Sequence, residues 1–157
     1  LSHNQTQKGK IMENRFNMHA VQPDAFKAMF GLEGYVQSGK LSKTHKELIK
    51  LRASQINGCA YCLDMHSKDA IKLGETIQRI VLLDAWRETS LYTEEERIVL
   101  ALTEAVTLIH QGGITDELYQ QAEAALGKEY LAQVIMMIVT INAWNRIAIS
   151  TQLQPGE

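Results

Sequence analysis

Residues 51–70, LRASQINGCAYCLDMHSKDA, decide how this chain folds. Leu51 and Ile56 continue an apolar helical stripe that includes Leu48, and Asn57-Gly58 then interrupts it. Gly58 is what a left-handed helix cap requires, so a helix ends there and a new one begins at about Cys59. The spacing predicts that this second helix runs to Leu73 and stops at Gly74. The CAYC tetrapeptide therefore opens a helix.

The same pattern extends in both directions. Ser42 is a plausible N-cap for the helix ending near Asn57. Beyond Gly74 the pattern predicts a helix over about 75–86. Thr93 and Glu96 form a capping-box pattern ahead of Ile98, Val99, Leu102, Val106 and Ile109, with a stop near Gly112-Gly113. Thr115 or Asp116 can begin a shorter helix to Leu126, and Gly127 separates it from a last helix over about 128–150. Upstream, Pro23 suits a first helical turn, with Ala25, Phe26, Met29 and Phe30 on a partial apolar face, while Gly31, Gly34 and Gly39 are expected to loosen the chain beyond Phe30.

These segments add up to an all-α chain of six to seven helices, read as one domain over 12–153. Residues 1–11 are read as an N-terminal extension, with Met12 a candidate start. The stretch VIMMIVTINAW, 134–144, is apolar nearly all round and must be buried; a domain this small can bury one such helix, and a subunit interface would help.

With 157 residues the chain can bury a real core but is short for two domains. Its 45% hydrophobic content and net charge of -2 give no sign of disorder or of a nucleic-acid partner. No apolar run approaches the roughly 18 residues of a membrane span, and no signal-peptide core is present, so the expected location is the cytoplasm.

The chain has two cysteines, Cys59 and Cys62. A disulfide between them closes a minimal loop and makes a poor staple, so redox chemistry is the better reading. The start of a helix favours thiolate, which points to Cys59, whereas His66 lies one turn from Cys62 on the same face and can exchange a proton with it. Asp69 could orient His66 or pair with Lys68 or Lys72. Glu47, on the preceding helix, is placed to be partly buried with a raised pKa. Plainer readings stand beside these: half of a zinc site, inert buried cysteines, or a solvated Glu47–Lys50 pair. Trp86, Trp144, Met136 and Met137 read as packing residues, and His3, His19, His45 and His110 have no partner pattern.

Glu47, Cys59, Cys62 and His66, in the order Glu-x11-Cys-x2-Cys-x3-His, resemble the motif of the alkylhydroperoxidase AhpD-like family, within the carboxymuconolactone decarboxylase superfamily. The similarity covers about residues 40 to 110, and INAWNRIAIS resembles the family's C-terminal helix. The resemblance implies an all-helical trimer or hexamer that reduces peroxides without metal, haem or flavin. It implies that Cys62 attacks the peroxide, that Cys59 resolves the sulfenic acid, and that Glu47 and His66 relay protons. Cys59, if exposed, would meet the reductant, often a lipoyl group in this family. Tyr61 departs from the pattern, because the best-studied hydroperoxidases carry a histidine there. Other expectations from the same sequence are a carboxymuconolactone decarboxylase, against which the paired cysteines argue, and a non-enzymatic redox-sensing or stress-related oligomer.

Overall fold

The computed structural model describes residues 12–156, so the extension expected at 1–11 lies outside the described residues. Those residues form eight α-helices, one or two more than expected, and no strand. They are α1 (Met18–Val21), α2 (Pro23–Ser38), α3 (Lys43–Asn57), α4 (Ala60–Lys72), α5 (Ile77–Val81), α6 (Glu94–Thr107), α7 (Asp116–Leu126) and α8 (Lys128–Thr151). Local chemistry starts most of them. Ser42 accepts the His45 N–H, Thr115 accepts that of Leu118, and Thr93 and Glu96 form the full reciprocal capping box. Each such cap typically contributes about 1 kcal/mol.

Two expectations fail for tertiary reasons. Gly31 and Gly34 do not loosen α2, which continues to Ser38 because it lies along α8. Phe26 and Phe30 pack edge-on against Trp144, whose indole N–H donates to Glu33 at 3.0 Å. These contacts offset a glycine penalty of about 1 kcal/mol per residue. The helix expected over 75–86 is instead the short α5 followed by a 3₁₀ segment, Leu82–Glu88, with Ala85 out of helical geometry. That break turns Leu83 and Trp86 into the core and lets Asp84 reach Arg52.

Helix α3 runs through the centre, packed by α4, α6 and α8. One side of it joins Ile49 and Ala53 to Val99, Leu102, Val134, Met137 and Ile138, and the other joins Leu48 and Leu51 to Leu83, Trp86 and Leu100. So enclosed is the middle of α3 that several of its polar residues are buried as well, among them three with partners: His45 with Tyr130, Lys46 with the Gln37 carbonyl, and Ser54 with Asn145. His45, expected to lack a partner, has one. Helix α8 is long and apolar enough to cross a membrane by length and composition, which corrects the reading that no run approaches that size. Here it is the helix against which α2, α3, α6 and α7 pack, and Val134, Met137, Ile138 and Ile141 are buried.

Candidate active site

The site is built on the turn between α3 and α4. Gly58 adopts φ 69° and ψ 37°, a left-handed conformation that costs a residue with a Cβ about 1–2 kcal/mol. The turn is closed by the Cys59 N–H donating to the Ser54 carbonyl at 3.0 Å. Side-chain amides anchor it to α8, with Asn145 fully buried: Asn145 donates to Ser54 Oγ at 3.0 Å and accepts from Asn57 Nδ2 at 2.9 Å. Asn57 Nδ2 also donates to Asn142 Oδ1 at 3.0 Å.

Cys59 is the N-cap of α4, its Sγ accepting the Cys62 N–H at 3.3 Å, and the two cysteines form a disulfide with Cα atoms 5.3 Å apart. They differ in surroundings rather than in burial, being 1% and 2% exposed. Cys62 lines a cavity of about 330 Å³, and Cys59 does not. Cys59 is not exposed, so the condition on which it would meet the reductant is not fulfilled here: Ala148, Leu153 and Tyr61 pack against the pair.

The cavity walls are largely apolar: Phe26 and Phe30 from α2, Tyr61 and Met65 from α4, Ile141 and Trp144 from α8. Trp144 is thus a wall of the cavity as well as a packing residue. Tyr61, where the resemblance expects a histidine, is part of the same wall. Besides Tyr61 and Cys62, the charged or titratable side chains of the lining are Glu33, Lys50, His66 and Asp69.

Glu47 stands behind Lys50 and His66. Its Oε1 accepts from Lys50 Nζ at 3.0 Å, and its Oε2 faces His66 Nδ1 at 3.5 Å, with neither of that second pair of atoms hydrogen-bonded elsewhere among the described residues. Burial pushes the Glu47 carboxyl up, but His66 and Lys50 together outweigh it and hold the group below the ordinary carboxylate range. This corrects the expectation of a raised pKa. An ionised Glu47 favours the proton on Nδ1 of His66 and leaves Nε2 with its lone pair free to act as a base.

Asp69 does not orient His66. It pairs with Lys72, Lys68 pairs with Asp64, and the His66 ring nitrogen turns to Glu47. The Glu47–Lys50 contact exists as a three-residue helical pair, but it is buried rather than solvated. Lys50 is the site residue that sequence reasoning passed over. Its one signal was a lysine one turn from Glu47 on a helix rich in core residues. Among the described residues no group of three or more His, Cys, Asp and Glu side chains is gathered to hold a metal ion.

Comparison with known proteins places this geometry. Residues 23–105 match the carboxymuconolactone decarboxylase family. A protein of unknown function from Agrobacterium tumefaciens, described as a putative antioxidant defence protein AhpD, superposes with a TM-score of 0.89 at 42% identity over 92% of this chain and 99% of its own. The chain is an AhpD-like member of the carboxymuconolactone decarboxylase family. An uncharacterised Bacillus subtilis protein, YdfG, is 42% identical over 88% of this chain and 95% of its own length. The debrominase Bmp8, at 20% identity and a TM-score of 0.77 over 87% of this chain and 74% of its own, shares the fold. In this AhpD-like chain the family match contains Glu47, Lys50, Cys59, Cys62 and His66, while the cavity wall from α8 lies beyond it.

Proposed function

We propose that this chain is a thiol peroxidase that reduces hydroperoxides with the Cys59–Cys62 pair. The observation that carries the reading is that Cys62 and His66 share the wall of one apolar cavity, with the Glu47 carboxylate behind His66. In the reduced protein His66 Nε2 takes the Cys62 proton, and Glu47 stabilises the imidazolium that results. The thiolate attacks the terminal peroxide oxygen: an S–O bond forms, the O–O bond breaks, and the departing alkoxide is protonated to the alcohol. Sulfur is oxidised by two electrons and the peroxide is reduced. Cys59 then attacks the Cys62 sulfenic acid, releasing water and forming the disulfide.

A dithiol, of the lipoyl type or similar, restores the pair by thiol–disulfide exchange at Cys62, the sulfur that faces the cavity. Apolar walls suit an organic hydroperoxide better than hydrogen peroxide. The test is consumption of cumene hydroperoxide with dihydrolipoamide as reductant. Turnover that is lost in Cys62→Ser supports the reading. No turnover by the wild type, or turnover that survives Cys62→Ser, overturns it.

A further inference from the structure

Lysine is rarely buried, and when it is, its ammonium is paired. Lys50 is 6% exposed, and its Nζ bonds to Glu47 Oε1 at 3.0 Å. An ammonium has three N–H groups, and that bond satisfies one. Lys50 also lines the cavity that Cys62 and His66 line, and the two carboxylates of the same lining are bonded to other groups, Glu33 to Trp144 and Gln37, and Asp69 to Lys72. A cation with spare donors therefore faces the place where peroxidase chemistry at Cys62 puts the peroxide.

We infer that Lys50 is a catalytic residue for the departing oxygen. As the Cys62 thiolate attacks the terminal oxygen and the O–O bond breaks, negative charge collects on the alkoxide, and the Lys50 ammonium stabilises it and gives it a proton. Glu47 makes the step balance, because one of its oxygens faces His66 and the other faces Lys50. The proton that left the Cys62 thiol for His66 passes across the carboxylate and restores the ammonium. No bulk proton is consumed: a thiol and a hydroperoxide become a sulfenic acid and an alcohol. A donor aimed at developing charge in a largely apolar site has a large effect on rate, typically a factor of about 100 or more.

This inference rests on the peroxidase reading, and the experiment separates the two. Reduced protein is mixed with cumene hydroperoxide, whose leaving group is a strongly basic alkoxide, and separately with peroxybenzoic acid, whose leaving group is a stable carboxylate. The single-turnover rate of Cys62 oxidation is measured for each. Lys50→Met should slow the reaction with cumene hydroperoxide about 100-fold and that with the peracid less than about fivefold. Lys50→Arg keeps a charge that does not transfer its proton, and should fall between.

Comparing the two oxidants within one variant cancels any general loss of folded protein or of thiolate. Should Lys50→Met fail to fold, Lys50→Gln, which can still donate to Glu47, is judged by the same ratio. Equal losses with both oxidants, or no loss with either, overturn the role of Lys50. Failure of the wild type to react with both oxidants overturns the peroxidase reading itself.

Discussion

Asn145 is fully buried and joins the active-site turn to α8, so Asn145→Ala tests how that turn is held. The truncation removes the 3.0 Å bond to Ser54 Oγ and the 2.9 Å bond from Asn57 Nδ2. Asn57 keeps its bond to Asn142, whereas the buried Ser54 hydroxyl loses the donor that Asn145 supplied. Two hydrogen bonds at about 1 kcal/mol each, with an orphaned buried hydroxyl costing about 1 kcal/mol or more, place the loss near 3 kcal/mol. For a chain of this length that lowers the thermal midpoint by about 6–12 °C. Thermal unfolding followed by far-UV circular dichroism on the oxidised protein reads it directly. A double-mutant cycle with Ser54→Ala should return a coupling of at least about 1 kcal/mol. A fall of under about 2 °C, or additive losses in the cycle, would refute the idea that this network anchors the turn.

The same geometry sets further outcomes. Gly58→Ala should cost about 1–2 kcal/mol in denaturant unfolding, all of it backbone strain, since nothing lies within 4 Å of the added Cβ. Glu47, Glu96 and Glu104 are all held below the ordinary carboxylate range despite burial, which alone would raise them. Their contribution to stability is complete above the unfolded-state carboxylate pKa and is lost as pH falls toward their lower folded values, so Glu104→Gln should flatten the acid arm of a stability–pH curve. His66→Gln should slow alkylation of reduced Cys62 at neutral pH and move its pH profile upward, while a profile that does not move removes His66 from the relay. Light scattering should give a mass three or six times that of one chain, the trimer or hexamer that the family resemblance implies, and a monomer would contradict it.

Much of this fold is written in local signals. Ser42, Gly58, the Thr93–Glu96 box, Thr115 and Gly127 each act within a few residues, and each marks a helix boundary where the structure has one. What local signals miss is decided at a distance. Residues 82–88 leave α-helical geometry because Trp86 donates to Glu104 at 2.8 Å, eighteen positions away. Helix α2 ignores its glycines because Trp144, more than a hundred positions on, lies against it. The site divides in the same way. Cys59, Cys62 and His66 share one helical turn or adjoin it, so spacing alone brings them together. Glu47 could be singled out only through family resemblance, and the direction of its pKa shift came from burial being outweighed by His66 and Lys50 together, which the sequence does not show. Lys50 looks like half of a surface ion pair until α4 and α8 close the cavity around it.

The claim that Cys62 receives the peroxide and Cys59 resolves it is tested most directly by intact-mass analysis and thiol counting on reduced protein given one equivalent of cumene hydroperoxide. The wild type should lose two thiols per peroxide and form the Cys59–Cys62 disulfide, while Cys59→Ser should stop with a single sulfenic acid on Cys62. Thiols that survive the peroxide, or a sulfenic acid on Cys59 in the Cys62→Ser protein formed as fast as that on Cys62, would contradict it.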